Sequence, residues 1–506
     1  MNENELNKAK QMKDRLNSVG PGFCLAKWDQ VTMHLHTGMT HSCHHPAPHK
    51  VNLEDLKRNP TAIHNSTQKL QERTAMLCGD RPSPCNYCWK MEDANPDAIS
   101  DRYLKSANLF SNNFDLIASS GTGASYIPSY VEVSFSNACN LKCTYCGPTF
   151  SSKWQQEQEQ NENIALYDLN SKERSWNYHN LDYLKSIDEL PYKNSEHNPY
   201  VDAFWKWWPE LRKNIKHLRI TGGEPLMAKD TFRLLDELQK NPIPDLEFSL
   251  NTNLNAPEKN WQQLLDFIKR NEDEQLVKKI TLYTSLDGWG KQAEYIRSGL
   301  DFNLLWERLL YLIEEHPSVD NSIMTTYSLL SVPNYKTLLE NVLEVKQKYN
   351  RYNGILERRQ EQYKDWFESV GQGNFFERNE IRCCAVHLDI STLSFPHFLS
   401  VAVLDREYSM PKLWKQYEFM AKHLTLGKDD QNFYDFETEK LGRVCDIAFY
   451  TAENERDYNE NLNYHRANFY MFINEMDKRR GTNFVKTFPE LEDFYYSCKN
   501  SVDKLR

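Results

Sequence analysis

The sequence lacks several features that would place it in a common class. No apolar run approaches the roughly 20 residues that span a bilayer, and residues 1–20 contain no apolar signal region. We therefore expect a cytoplasmic protein with no membrane partner. Acidic residues outnumber basic residues, which gives a net charge of −10. A negative net charge argues against general nucleic-acid binding. No Gly-Lys-Ser/Thr follows Gly121 and Gly123, which excludes a P-loop there.

Twelve cysteines are present in the 506 residues. In a chain without a secretion signal they are better explained as metal ligands and free thiols than as a disulfide framework. Apolar residues make up 40% and charged residues 26%, so the chain can bury a core. Its length predicts two to four domains, at roughly 150 residues per domain.

Three cysteines directly follow a predicted strand. Val131, Val133 and Phe135 alternate with polar residues, a pattern typical of a half-buried strand. The cysteines have the spacing C-x3-C-x2-C and are Cys139, Cys143 and Cys146. Three thiolates on one loop can each bind one iron of a [4Fe–4S] cluster and leave the fourth iron without a protein ligand. A zinc site normally takes a fourth protein ligand from the same neighbourhood, and none is available there.

From residue 215 onward the chain alternates strand-like and helix-like segments. The strand-like segments are HLRIT, LEFSLNT, KITLYTSL, SIMTTYSL and CAVHLDI. The helix-like segments between them are Thr231–Lys240, Glu258–Arg270, Phe302–His316 and Tyr335–Tyr349. This alternation predicts an α/β fold, with a parallel sheet and helices outside it. Counting the strand before the cysteines gives six strands.

The cysteine spacing, followed by this alternation, resembles the radical S-adenosylmethionine (SAM) superfamily, in which SAM chelates the open iron. The resemblance implies a partial (β/α)6 TIM-like barrel over residues 130–400, with a tryptophan-rich helical insertion at 151–209. It places the chemistry at the carboxyl ends of the strands. The residues that it assigns to SAM binding are Tyr145, Gly222, Gly223, Glu224, Pro225, Thr252, Asn253, Ser285 and Arg297.

These assignments follow from short segments. Thr221–Pro225 resembles the GGEP motif, which implies that Glu224 and the glycine backbone hold the amino group of SAM. Asn251–Asn253 resembles the TNG segment but lacks its glycine, and turn capping is an open alternative. Ser285–Gly288 resembles the SLDG motif, so Ser285 would bind the ribose or carboxylate, and Arg297 could clamp the carboxylate. Asp287-Gly288 is equally open to interpretation as a structural turn.

A second group of cysteines precedes the predicted barrel. Alternation through Val31, Met33 and Leu35 and the turn at Thr37-Gly38 predict a β-hairpin. Around it stand Cys24, Cys43, Cys85 and Cys88. Their arrangement resembles the Twitch unit of SPASM-type proteins, which implies one auxiliary [4Fe–4S] cluster. That unit generally follows the barrel, whereas here it precedes it.

Alternatives for this group stay open. A four-cysteine zinc site also uses C-x2-C pairs, and Cys78 could replace one of the four ligands. Six histidines are concentrated in residues 34–49, and we interpret them as polar surface or packing around the cluster. They are His34, His36, His41, His44, His45 and His49.

The predicted domains are an N-terminal helix or tail (1–22), a Twitch-like domain (23–93), a linker (94–129), the barrel (130–400) and a mainly helical C-terminal region (401–506). The remaining cysteines are predicted core thiols, so no second auxiliary cluster is expected. They are Cys383, Cys384, Cys445 and Cys498.

The resemblance implies a Twitch-domain radical SAM enzyme, similar to a group often found in phage genomes. Such an enzyme cleaves SAM reductively to a 5′-deoxyadenosyl radical, with electrons from a reductase or from a flavodoxin or ferredoxin, and takes a hydrogen atom from its substrate. A peptide or protein side chain is favoured as substrate, and a small molecule or nucleotide is the alternative. Four thiolate ligands would leave no open auxiliary iron, which disfavours the nucleotide-chelating mode of the molybdenum-cofactor cyclase. A zinc-stabilised, non-enzymatic scaffold is the most distant alternative.

Overall fold

The computed structural model describes residues 3–171, 179–351, 385–424, 432–454 and 456–505. The chain divides into two compact units, each assembled from separate segments. The first unit comprises Met1–Asn137, Pro191–Ser249 and Leu276–Lys278. The second comprises Ala138–Leu190, Leu250–Gln275 and Lys279–Arg506. Among the described helices, none combines the length and the apolar character that a membrane crossing requires.

Nine strands belong to one mostly parallel sheet, and two short strands form a second. In chain order they are β1 (Gln30–His34), β2 (Met39–His41), β3 (His49–Lys50), β4 (Tyr130–Ser134), β5 (Lys142–Cys143), β6 (His217–Thr221), β7 (Ile243–Thr252), β8 (Val277–Ser285), β9 (Arg297–Ser298), β10 (Val319–Tyr327) and β11 (His387–Thr392).

The α-helices of the described residues begin with α1 (Glu3–Val19), α2 (Ala26–Asp29), α3 (Leu53–Arg58), α4 (Thr67–Leu77), α5 (Asn86–Ala94), α6 (Asp101–Leu109), α7 (Phe114–Ala118), α8 (Ser152–Glu159), α9 (Leu181–Ser186) and α10 (Pro199–Leu211). They continue with α11 (Lys229–Lys240), α12 (Glu258–Glu274), α13 (Gly290–Ile296), α14 (Phe302–Glu315), α15 (Tyr335–Arg351), α16 (Arg406–Lys422), α17 (Asp435–Asn454), α18 (Arg456–Arg480), α19 (Phe484–Thr487) and α20 (Glu492–Lys504).

The first unit contains the predicted hairpin. β1 pairs antiparallel with β2 on one side and parallel with β4 on the other, and β4 pairs parallel with β6. Val31 is opposite Val131 in this register, and both are fully buried. The hairpin turn requires Gly38, because its φ is +73° and a Cβ there would clash with the Tyr200 ring. The hairpin prediction is confirmed.

A helical core accompanies these strands in the first unit. Leu16 of α1, Phe23, Trp28 of α2 and Tyr103 of α6 are almost completely buried in one apolar cluster. Cys24, Cys43 and Cys85 pack against its edge as partly buried side chains. Burial of these apolar groups therefore fixes the segments that carry the cysteines.

The second unit contains parallel strands and most of the helices. β10 pairs in parallel with both β8 and β11. A fully buried ion pair joins Lys346 of α15 to Glu437 of α17, with Nζ 3.2 Å from each carboxylate oxygen. Glu437 also accepts a hydrogen bond from the Leu388 amide in β11 (2.6 Å). From residue 406 onward the described residues are mainly helical, with an isolated parallel bridge between Leu424 and Phe433.

The predicted α/β fold class is confirmed. Each strand-like segment from HLRIT to CAVHLDI contains an observed strand. Cys383 and Cys384 lie outside the described residues, as does Trp176 of the predicted tryptophan-rich insertion. The six-stranded barrel stays a prediction, because the sheet also contains β1, β2 and β3. The predicted domain boundaries stay predictions too, since the compact units group the chain differently.

Candidate metal centres

The loop with Cys139, Cys143 and Cys146 lies in the second unit and is fixed by its own backbone. Cys143 belongs to β5, which pairs antiparallel with β9. The Cys146 amide donates to the Cys143 carbonyl (3.0 Å), and the Cys139 amide donates to Ser152 Oγ (3.1 Å). Ser151 begins α8 as its N-cap and donates to the Leu141 carbonyl (2.7 Å). Backbone and side-chain hydrogen bonds therefore hold the three cysteines of the loop in place.

A buried ion pair adjoins this loop. Arg297 Nε lies 2.8 Å from Asp287 Oδ2, and Nη2 donates to Oδ1 (3.0 Å). Arg297 Nη1 also lies 3.8 Å from the Cys143 sulfur. Asp287 is completely buried and accepts from the Tyr145 hydroxyl (2.8 Å) and the Thr326 amide (2.8 Å). Asp287 thus anchors Arg297 against the cysteine loop, and the proposed contact of Arg297 with SAM stays a prediction.

Burial controls the ionisation of this loop. It raises the pKa of Cys146 to about 12, and the neighbouring Cys143 thiol acts in the same direction. Burial also raises the pKa of Tyr145 well above its usual range, so its hydroxyl remains a donor to Asp287. The Cys146 thiol is therefore protonated at neutral pH, and binding of a metal there would release its proton.

Four further side chains support the loop without any spacing signal in the sequence. Trp154 Nε1 donates to the Cys143 carbonyl (2.8 Å), and His179 Nε2 lies 2.8 Å from the Cys146 carbonyl. The Trp154 and His179 rings stack with centroids 4.3 Å apart, and Phe472 contacts both. The Arg480 guanidinium lies over the Trp154 ring at 4.6 Å. For the tryptophans of the 151–209 insertion, Trp154 among them, the sequence favoured packing of a helical layer over stacking on a substrate.

Arg480 is itself held in place by an acidic partner. Its Nη2 lies 3.1 Å from Glu157 of α8, and Glu157 also pairs with Lys142 of the cysteine loop. Helix α18 of the C-terminal region therefore supports the loop. No such role could be assigned to residues 401–506 from the sequence.

The predicted SAM-binding residues of β7 and β8 have structural roles in the second unit. Asn253 Nδ2 donates to Asn140 Oδ1 (2.9 Å), and Asn253 Oδ1 accepts from the Asn255 amide (2.8 Å). Thr252 Oγ1 accepts from the Leu254 amide (3.1 Å). Thr252 and Asn253 therefore cap the turn after β7, as the alternative interpretation predicted. Asn253 also links this turn to Asn140 of the cysteine loop. Ser285 ends β8 and is half-buried. Ligand binding by these residues stays a prediction.

The segment from Gly222 to Pro225 follows β6 in the first unit. Gly222 has φ +126°, and a Cβ there would lie 2.5 Å from Ser134 Oγ, so only glycine fits. The Gly223 amide donates to the Ser136 carbonyl (3.2 Å). Glu224 is buried, and its Oε1 accepts from the Leu226 amide (3.2 Å). Its predicted bond to SAM stays untested by these contacts.

The four other predicted ligands line one pocket in the first unit. Cys24 precedes α2, Cys43 follows β2, and Cys85 and Cys88 stand at the start of α5. Cys78, the possible substitute, is exposed and does not line this pocket. The pocket thus gathers the cysteines that the Twitch resemblance selects.

The sulfur atoms of the two cysteine groups are not drawn together as the ligands of one zinc ion are. With zinc–sulfur bonds near 2.3 Å, tetrahedral ligands lie roughly 3.8 Å apart. Among the described residues, no three cysteine sulfurs lie within 4.8 Å of one another. The metal at each group stays a prediction.

Histidines beside the pocket form a compact polar group with Asp101. His45 Nε2 lies 2.7 Å and His44 Nε2 3.5 Å from Asp101 Oδ2. Lys105 Nζ lies 2.9 Å from His44 Nδ1, and this positive charge opposes binding of a metal cation there. Hydrogen bonds from both histidines hold the pKa of Asp101 well below its usual range. Burial lowers the pKa of His36 to about 4, so its ring is neutral.

Buried charges border the four-cysteine pocket. Burial raises the pKa of Cys24 to about 12, and the other three thiols add to the effect. Burial raises the pKa of the Cys85 thiol, and the positive charge of Lys27 opposes this shift. Arg102 lines the pocket and pairs with Glu92, with Nη2 2.8 Å from Oε2.

Comparison with known proteins gives one relative of known activity. The chain is 29% identical over 124 residues to the GTP 3′,8-cyclase of Nautilia profundicola, a radical SAM enzyme. The aligned segment covers 24% of this chain and 27% of the relative, so the chain spans about a quarter of that protein's length. No family model and no solved structure matches.

This similarity supports the radical SAM superfamily. It supports an enzyme that uses a [4Fe–4S] cluster and SAM, and it specifies no narrower family.

Proposed function

We propose that this protein is a radical SAM enzyme of the Twitch type that takes a hydrogen atom from a peptide or protein side chain. The observation that carries the proposal is the conformation of the Cys139–Cys146 loop, with Arg297 Nη1 3.8 Å from the Cys143 sulfur. The loop carries the C-x3-C-x2-C sequence spacing of three thiols, and the similarity to a radical SAM enzyme supports their use as ligands of a [4Fe–4S] cluster.

Cys139, Cys143 and Cys146 would hold a [4Fe–4S] cluster, which together with SAM would supply the one-electron chemistry of reductive SAM cleavage. The Arg297 guanidinium would offset part of the negative charge of the three thiolates. Asp287 and the Tyr145 hydroxyl keep Arg297 in place. Trp154 and His179 cover the loop from one side and exclude water from it.

For the pocket in the first unit we propose an auxiliary [4Fe–4S] cluster. Ligation by Cys24, Cys43, Cys85 and Cys88 would occupy all four irons and leave no iron site for the substrate. We therefore assign this centre to electron transfer rather than to substrate binding, with a reductase or a flavodoxin- or ferredoxin-type protein as the external donor. A closed centre suits oxidation of a side chain that does not chelate iron.

A second candidate substrate is a nucleotide or another small molecule. The relative's name, GTP 3′,8-cyclase, favours it. The closed four-thiolate pocket argues against binding of a nucleotide by the auxiliary centre. Incubation of the anaerobic enzyme with GTP and with a mixed peptide library distinguishes the two, because only the true substrate changes in mass.

Anaerobic purification tests the proposal first. A brown protein with about eight irons per chain, which cleaves SAM to 5′-deoxyadenosine under dithionite, is the expected result. Colourless protein with bound zinc would instead establish the non-enzymatic scaffold. Iron without SAM cleavage would remove the radical SAM assignment and leave an electron-transfer protein.

A further inference from the structure

The parallel strands of the second unit have one buried face and one partly accessible face. On the buried face, each of β8, β10 and β11 contributes a completely buried apolar residue: Leu282, Ile323 and Leu388. Successive side chains of a strand point to opposite faces. The residue that follows each of these three is only half-buried, and these residues are Tyr283, Met324 and Asp389. The second face is therefore the one that a ligand can reach.

One row of side chains on the accessible face adjoins the cysteine loop. Ser285, Met324 and Asp389 stand opposite one another in the registers of β8, β10 and β11. Asp287 follows Ser285 by two residues, or roughly 7 Å of extended chain. Because Asp287 holds Arg297 against the cysteine loop, the row lies close to the proposed radical chemistry and within the same compact unit.

An ion pair stands at the β11 end of this row. Lys440 of α17 places its Nζ 2.5 Å from Asp389 Oδ1, and the two side chains are 29% and 26% exposed. In the described part of the chain, this is the one side-chain hydrogen bond that either group makes. An ammonium has three donors and a carboxylate accepts about four bonds. Both groups therefore keep the capacity to bind a ligand while they remain paired.

This ion pair is not required to hold α17 on β11. Glu437, one helical turn before Lys440, is fully buried and bonds both the Lys346 ammonium and the Leu388 amide. Partly exposed ion pairs contribute little to stability. The anchoring of α17 is thus explained by Glu437, and the Lys440–Asp389 pair needs another explanation.

We propose that Asp389 and Lys440 bind the carboxamide side chain of an asparagine or glutamine in a peptide substrate. This inference rests on the proposed function, because it takes the substrate to be a peptide. The carboxamide oxygen accepts a hydrogen bond from the ammonium, and the carboxamide nitrogen donates one to the carboxylate. Standard bond lengths place those two atoms about 2.2 Å apart, close to the 2.5 Å between Nζ and Oδ1.

Other groups of a peptide match the pair less well. A trans backbone peptide group does not fit, because its N–H and C=O point in opposite directions. A charged side chain has to compete with the internal partner, since the ion pair is neutral as a whole. The carboxamide alone among these groups offers one donor and one acceptor side by side.

The test is affinity selection of short random peptides on the immobilised, anaerobically purified full-length protein. Mass spectrometry identifies the bound peptides, and the unaltered protein should enrich asparagine and glutamine. Asp389→Asn leaves the ammonium charge uncompensated, so the preference should move to aspartate and glutamate. Lys440→Met leaves the carboxylate uncompensated, so the preference should move to lysine and arginine. Each change of preference should be about tenfold, as for loss or gain of a charge-assisted hydrogen bond.

A second ion pair of the same sheet provides matched controls. Lys279 Nζ lies 2.5 Å from Asp320 Oδ2, near the amino ends of β8 and β10. Asp320 precedes Met324 of the row by four residues, or roughly 13 Å. Lys279→Met and Asp320→Asn should therefore leave the peptide preference unchanged. Thermal unfolding of every variant shows whether the fold is retained.

The outcomes separate this inference from the proposed function. Bound carboxamide peptides that gain no change in mass with SAM and dithionite would support the inference and overturn the proposed function. Modified peptides without a carboxamide preference would do the reverse. Absence of peptide binding, or an unchanged preference in folded Asp389→Asn and Lys440→Met, would overturn the inference.

Two further outcomes are decisive. If one of the two variants fails to fold, the preference of the other decides, and failure of both would show a structural pair and overturn the inference. Displacement of the bound peptides by guanosine, whose base contains an amide group, but not by adenosine would overturn the assignment to a peptide.

Discussion

The two groups of cysteines differ in how the chain assembles them. Cys139, Cys143 and Cys146 stand on one loop, whose conformation follows from local backbone bonds and one short strand pair. The four other thiols come from three segments spread over residues 24–88 and meet only when α2, the hairpin and α5 pack together. The comparison teaches that a local motif brings its thiols together along the chain, whereas a dispersed site depends on the packing of several elements. Disrupting one site should therefore spare the other.

The largest effect is expected from the loop. Cys143→Ala, like the same change at Cys139 or Cys146, should abolish formation of 5′-deoxyadenosine, because two thiolates cannot hold the cluster in register. Chromatography of anaerobic reactions with SAM and dithionite measures this product. The iron of the four-cysteine pocket should remain, at about four per chain.

Cys78→Ala is the matched control, because Cys78 is an exposed thiol outside both groups. It should leave both the iron content and SAM cleavage unchanged. Formation of 5′-deoxyadenosine by any of the three loop variants would contradict the assignment of the loop.

The next effect concerns the pocket. Cys88→Ala should reduce iron from about eight to about four per chain and leave SAM cleavage partly intact, since the loop cluster does not use this thiol. Modification of the substrate should stop if the pocket serves electron transfer. Iron analysis and the 5′-deoxyadenosine assay measure the first two. Complete loss of SAM cleavage with the loop iron retained would show that the two sites are not independent.

A smaller effect should follow from breaking the ion pair beside the loop. Asp287→Asn leaves Arg297 buried without its counter-charge, and removal of one partner of a buried pair costs about 3–5 kcal/mol. Urea unfolding of the metal-free protein measures this loss. Asp266→Asn, at an exposed position on α12, is the control and should change stability by less than about 0.5 kcal/mol. An equal, small change in both variants would mean that Asp287 is dispensable.

The smallest effect is expected for SAM affinity. Glu224→Gln preserves the hydrogen bond to the Leu226 amide but removes the negative charge proposed to face the SAM ammonium. Loss of one charge-assisted hydrogen bond weakens binding by about 1.5–3 kcal/mol, or about ten- to a hundredfold. Anaerobic equilibrium dialysis measures it, with Asp236→Asn on α11 as an exposed control. Unchanged affinity in Glu224→Gln would direct SAM binding to other residues.

The same contrast explains what could be predicted from the sequence. Strand β4, the cysteine spacing and the hairpin follow local periodicity and turn chemistry, so they were visible without a structure. The convergence of Cys24 and Cys43 on Cys85 and Cys88 was expected only from resemblance to a family. The ion pair of Arg297 with Asp287 was not predicted from the sequence. A guanidinium can form the same charge-assisted hydrogen bonds with a ligand carboxylate as with a buried side-chain carboxylate.

The support from the C-terminal region was invisible for a different reason. His179 and Arg480 are far from the cysteines in the chain, and neither belongs to a recognisable motif. Their contacts arise from packing of α18 in the second unit, which periodicity alone does not determine. The sequence favoured a packing role for Trp154, and its ring does pack against His179 and Phe472. Its hydrogen bond to the Cys143 carbonyl was not predicted.

The contact of Arg480 with Trp154 and Glu157 has a consequence for biosynthesis. A ribosome releases the cysteine loop more than 300 residues before it releases Arg480. During that interval the loop has its thiols but lacks the helix that completes its support. If the loop binds the proposed cluster, we expect insertion of that cluster to follow completion of α18. A chain truncated before residue 480 would then carry the three thiols without the contacts of Arg480.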